Sequence, residues 1–132
     1  MSFVLDASVA ACWAFDDEDH PKAAEALDRL RNEEAHAPSL WRLEVYHVLL
    51  VNERRGRISE ADARLYLASL RRLPIRLDFE PAEAELLRLA RTYGLSAYDA
   101  AYLELAVRLG RPLATLDRHL AEAASSAGAA VL

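Results

Sequence analysis

The sequence predicts an α/β protein, a three-layer sandwich with a central, mostly parallel sheet. Three observations lead there. Short apolar runs such as Phe3-Val4-Leu5 alternate with helical stretches of roughly 10–16 residues, the pattern of βαβ units. Proline and glycine stand between those stretches and not inside them, so they read as element ends. The 132 residues, 53% of them hydrophobic, supply one full core, which sets the expectation of a single domain over 1–132.

Each element has its own signal. Residues 3–5 read as a buried strand that stops at Asp6, and 8–15 as a helix. Residues 16–19 are a polar loop, and Pro21 suits the first turn of a helix that runs to about Asn32. Residues 35–38 read as a second strand. Ser39 then caps a long helix to about Arg55, with Gly56 where a C-cap glycine belongs. Ser59-Glu60-Ala61-Asp62 opens a helix that ends before Pro74, and 75–77 read as a strand. Residues 81–93 are helical and closed by Gly94; 96–109 are helical and closed by Gly110. A strand at 112–115, a helix at 117–127 and a last strand at 129–132 complete the chain. Open sheets of this kind place their ligands beyond the carboxyl ends of the strands, so the residues directly after each strand matter most.

Composition excludes several classes. The longest unbroken apolar run, 9–15, has seven residues, against roughly 20 for a membrane span. No basic stretch precedes Asp6, so a secretory leader is not expected. Cys12 is the single cysteine; that rules out disulfides within the chain and cysteine-based zinc sites, and fits a reducing cytoplasm. The net charge of -5 argues at first against a nucleic-acid partner. However, residues 1–35 hold nine acids and three bases, while the remainder holds twelve acids and thirteen bases. Fifteen of the sixteen basic residues are Arg, whose guanidinium fork suits phosphate.

Four carboxylates stand out. Asp6 follows the first strand and Asp117 follows the strand at 112–115; each reads either as a helix N-cap or as a site acid. Glu44 reads as a mid-helix residue on a face with Leu40, Val48 and Val51, where a carboxylate needs an Arg or a bound cation. Asp99 shares a face with Leu103 and Ala106, and Ser96-Ala97-Tyr98-Asp99 also fits a capping box. If all four converge, each like-charged pair at about 4 Å costs about 4 kcal/mol at an effective dielectric near 20. Such a group either takes up protons or binds a divalent ion. All-oxygen ligation selects Mg²⁺ or Mn²⁺, and a site of that kind suits phosphodiester cleavage.

Four stretches of the chain resemble a known family. They are Val4-Leu5-Asp6-Ala7-Ser8-Val9, Ala37-Pro38-Ser39-Leu40 leading to Glu44-Val45, Gly94-Leu95-Ser96-Ala97-Tyr98-Asp99-Ala100-Ala101-Tyr102, and Leu113-Ala114-Thr115-Leu116-Asp117. In order and spacing they are similar to the PIN domain family, in particular its VapC-type toxin ribonucleases, over essentially the whole chain. The resemblance implies a Mg²⁺- or Mn²⁺-dependent endoribonuclease, the toxin of a toxin–antitoxin pair. Its catalytic and metal-holding acids map onto Asp6, Glu44, Asp99 and Asp117. Ser8 and Thr115 match supporting polar positions. His47 stands where many such chains carry Asn three residues after the helical Glu, and reads either as a hydrogen-bonding group beside the site or as packing. A homodimer, a small antitoxin and an RNA substrate are implied as partners. Arg42, Arg54, Arg55, Arg57 and the pair Arg118-His119 are candidates for phosphate contacts, though each cluster also reads as a solvated helix end.

Rival readings have less support. A receiver domain needs a Lys at the end of a late strand, and Lys22, the sole Lys, lies in an early helix. A di-iron bundle needs a second Glu-x-x-His pair beside Glu44 and His47, on four long helices. A catalytically inactive PIN-like binding protein sits poorly with the presence of all four acids. A structure-specific DNA nuclease is the alternative in substrate class.

Overall fold

The computed structural model describes residues 1–132. Its elements are, in order, β1 (Ser2–Leu5), α1 (Ala7–Cys12), α2 (Pro21–Arg29), β2 (Glu34–Pro38), α3 (Trp41–Arg54), α4 (Glu60–Leu70), β3 (Ile75–Asp78), α5 (Glu83–Tyr93), α6 (Ala97–Leu109), β4 (Leu113–Ala114) and α7 (Arg118–Ser126).

The strands form one sheet in the order β3-β2-β1-β4, and every neighbouring pair is parallel. Successive residues of a strand face opposite sides of a sheet. Phe3, Val4 and Leu5 are nevertheless all fully buried, which requires helices on both faces. The result is a three-layer α/β sandwich. α6 packs on β1 and β2, α5 and α7 pack on α6, and α1 lies against α2 and α3. No helix is long and apolar enough to cross a membrane.

Local signals explain most element ends. Pro21 opens α2 at its first position. The Ser59 and Ser96 hydroxyls accept the backbone N–H of Asp62 and Asp99, the N-cap bond that both sequences announce. Gly94 and Gly110 close α5 and α6 in the left-handed region, at φ 63° and 62°.

Three expectations fail for physical reasons. The helix expected at 8–15 is the shorter α1, because Trp13, Ala14 and Phe15 donate to the carbonyls three residues back and tighten into turns. The Trp13 indole N–H is meanwhile tied to Ala23 O of α2, 2.8 Å away. Ser39 does not cap α3: its N–H bonds Asp78 O and prolongs the strand pairing, so Leu40 takes the N-cap position. Glu44 therefore lies in the first turn of α3 and not mid-helix. The strand expected at 129–132 is reduced to one parallel bridge, Val131 with Leu113. β4 is itself two residues long, so it offers a fifth strand little to pair with.

Candidate active site

Parallel pairing puts the carboxyl ends of β1, β2 and β4 on one edge of the sheet. Helices begin there, and each carries one acid at its N-terminal end. Asp6 occupies the N-cap of α1 and Asp117 that of α7, while Glu44 and Asp99 lie in the first turns of α3 and α6. The positive ends of the helix dipoles face the acids and offset part of their mutual repulsion.

All four acids line one open pocket of about 660 Å³, large enough for a nucleotide with a hydrated ion. Ser8, Leu40, Leu43, His47, Val48 and Tyr98 share its wall, and no Lys or Arg does. His47 is exposed there, so it is not a packing residue.

The floor is a hydrogen-bonded set. Asp6 is 6% exposed. Its Oδ2 accepts the Ser8 hydroxyl at 2.7 Å and the Thr115 hydroxyl at 2.6 Å. Thr115 Oγ1 in turn accepts the Asp117 N–H at 3.0 Å, and Ser8 Oγ accepts the Leu116 N–H at 3.0 Å. Asp117 Oδ1 caps α7 through the Leu120 N–H at 3.1 Å. Asp6, by contrast, makes no side-chain cap bond despite its N-cap position. Glu44 Oε1 accepts the Tyr102 hydroxyl at 2.6 Å.

Three of the acids are held above the usual carboxylate range. Burial raises Asp6 first; the Thr115 and Ser8 hydroxyls oppose it, and the Asp117 charge adds to it. Burial likewise raises Glu44, opposed by Tyr102 and reinforced by Asp6 and Asp99. Asp99 is raised by burial and then by Asp117 and Asp6, while His119 and Ser96 pull it down. The carboxylates thus feel one another, as a group assembled for a positive ligand does.

The donor set fits a hard divalent cation. No three of these side chains stand close enough to form a ready-made cage. Mg²⁺ does not need one, since it binds through one or two carboxylates and keeps several waters. Oxygen donors, a wall without Lys or Arg and acids that repel one another are features that suit such an ion.

The expected Arg contacts are dispersed. Arg42 lines a separate, mostly apolar pocket with Trp41, Val45 and Leu70. Arg54 and Arg55 are exposed at the far end of α3, about 15 Å along the axis from Glu44 at 1.5 Å per residue. Arg57 stacks over the Phe15 ring at 4.5 Å and donates to Asn52, Asp17 and Glu18, so it serves the fold. Of the set, Arg118 alone adjoins the acids, exposed beside Asp117.

Two residues escaped the sequence reading. Tyr102 looks like a core aromatic from its apolar surroundings; its spacing of three from Asp99 is the signal that could have linked it to the site. Glu104 is 1% exposed on the apolar α6 and is held by Arg108; their spacing of four along the expected helix is the signal that could have paired them.

Comparison with known proteins adds independent findings. The family model described as PIN domain matches residues 3–125. Ribonuclease VapC3 of Pyrobaculum aerophilum is 36% identical over 126 residues, which cover 92% of this chain and 94% of that protein. Ribonuclease VapC12 of Mycobacterium tuberculosis is 32% identical over 120 residues, covering 90% and 89%. Among solved structures, PAE2754 from Pyrobaculum aerophilum aligns with a TM-score of 0.73 at 26% identity, over 99% of this chain and 92% of that one. FitAcB from Neisseria gonorrhoeae aligns with a TM-score of 0.59 at 18% identity over 100% and 96%, a likeness of fold alone.

Proposed function

The chain belongs to the PIN domain family, and from that premise we propose that it is a Mg²⁺- or Mn²⁺-dependent endoribonuclease, the toxin of a toxin–antitoxin pair. The observation that carries this reading is the convergence of Asp6, Glu44, Asp99 and Asp117 on one pocket with no Lys or Arg on its wall. The relatives that bear the name ribonuclease support RNA as the substrate. A single domain, a homodimer, a small antitoxin and a cytoplasmic setting belong to the same proposal.

When bound, a Mg²⁺ or Mn²⁺ ion supplies positive charge against the phosphate and a water acidic enough to attack it at neutral pH. Asp6, Glu44, Asp99 and Asp117 are the residues that would hold the ion. Ser8 and Thr115 keep Asp6 fixed and favour its ionised form. Leu40, Leu43 and Val48 give the pocket an apolar side, which strengthens electrostatic contacts at its floor. His47 and Tyr98 stand on the same wall, where an incoming nucleotide meets them.

The test is direct. Purified protein is incubated with total RNA and Mn²⁺, and the cut ends are mapped. Discrete cleavage that EDTA silences is the expected outcome. No cleavage, with a melting temperature that Mn²⁺ leaves unchanged, would favour an inactive binding protein instead. Cleavage of DNA alone would move the substrate class.

A further inference from the structure

Tyr102 is fully buried on α6, three residues beyond Asp99 and thus on the same helical face. Its hydroxyl reaches across to α3, 58 residues away in sequence, and donates to Glu44 Oε1 at 2.6 Å. Glu44 has no other side-chain bond, and its neighbours Asp6 and Asp99 repel it. A glutamate with several free torsions, pushed by two like charges, swings outward unless something ties it down.

The same device recurs around the pocket. One oxygen of Asp6 is taken by Ser8 and Thr115, and one oxygen of Asp117 by the Leu120 N–H. In each carboxylate the second oxygen takes no side-chain donor. Glu44 follows the pattern: Oε1 is engaged by Tyr102, and Oε2 is left available.

We propose that Tyr102 is a positioning residue, whose hydroxyl pins Glu44 Oε1 so that Oε2 is pre-set for the divalent ion. This rests on the nuclease reading of the pocket. It assigns to an apparent core tyrosine a part in ion affinity, and it predicts that Tyr102 acts only through Glu44.

The experiment measures Mn²⁺ affinity calorimetrically, in the absence of RNA, for wild type, Tyr102→Phe, Glu44→Gln and the double variant. Tyr102→Phe should weaken Mn²⁺ binding about tenfold, as loss of a group that orients a metal-holding side chain does, and melt cooperatively. In the Glu44→Gln background the same substitution should add nothing. Wild-type affinity in Tyr102→Phe, or an equal loss in both backgrounds, overturns the proposal. If Tyr102→Phe does not fold, NMR of the wild type decides: a Tyr102 hydroxyl proton protected from exchange is expected, and a rapidly exchanging one overturns the assignment. A wild type that binds no Mn²⁺ and cuts no RNA would instead remove the nuclease reading, and this inference with it.

Discussion

Thr115 Oγ1 and Asp6 Oδ2 lie 2.6 Å apart across 109 residues of chain. The same oxygen of Thr115 accepts the Asp117 N–H at 3.0 Å. One hydroxyl thus joins the acid after the central strand to the acid after its neighbour. Thr115→Val keeps the shape and removes both bonds. It should destabilise the protein by about 1–3 kcal/mol, because the Asp117 N–H loses its partner and Asp6 Oδ2 keeps only Ser8, and lower RNA cleavage further than Ser8→Ala does. Urea unfolding and a cleavage assay check the two parts.

Asp6→Asn and Asp99→Asn should each reduce cleavage by at least about 100-fold, since each 1.36 kcal/mol of lost charge stabilisation is a factor of ten. Both variants should fold. Asp99→Asn should stabilise the metal-free protein by roughly 1 kcal/mol, because it relieves repulsion from Asp117 and Asp6. Full activity in both variants would remove the assignment of the site.

Asp6, Glu44 and Asp99 give the metal-free protein a pH dependence of known sign. Each is raised in the folded state from ordinary values of 3.8, 4.5 and 3.8, so the folded chain holds more protons than the unfolded one. Their stabilising contribution is complete below those ordinary values and is lost as pH rises through the raised ones. EDTA-treated protein should therefore melt higher at about pH 5 than at about pH 7, and Asp99→Asn should flatten the trend. Mn²⁺ should act in the opposite sense, because it needs ionised carboxylates and binds more tightly as pH rises. Melting curves across that range, with and without Mn²⁺, measure both slopes.

Arg108 ties β3 to α6. It donates to Glu104 at 2.7 and 3.0 Å and to Asp78 at 2.8 and 3.2 Å. Glu104 is almost wholly buried, so Arg108→Met leaves a buried charge alone and should cost about 3–5 kcal/mol. Glu104→Gln combined with Arg108→Met should recover most of that loss in a denaturant titration, because the charge left without a partner, Asp78, is in part exposed to solvent.

How far the residues announced this arrangement depended on the range of the interaction. Asp6 and Asp117 could be picked out because a strand followed by an acid is a local pattern, and the Ser96 cap because it spans four residues. The apolar spacing of Leu40, Glu44 and Val48 marked a shared face, and all three line the pocket. The first turn of α3 was misplaced because Ser39 N–H bonds Asp78 O of β3, a tertiary contact that overrides a good capping residue. Tyr102 stayed hidden for a related reason: its partner Glu44 lies on another helix, 58 residues away. Glu104 and Arg108 stand four apart on one helix, a pair readable from spacing alone, and only the burial of Glu104 needed the packed fold. Arg57 looked free for RNA, yet it meets Phe15, Asp17 and Glu18 about forty positions earlier.

The central place of β1 has a bearing on biosynthesis. Its neighbour β4 is made after the other three strands, and Thr115 beyond it stands 109 residues after Asp6. A nascent chain therefore carries Asp6 and Ser8 from the outset without Thr115, and the floor of the pocket is complete only once β4 and α7 have been made. Under the proposed function, competence to cleave would then arise late in synthesis, when Thr115 and Asp117 can first reach Asp6.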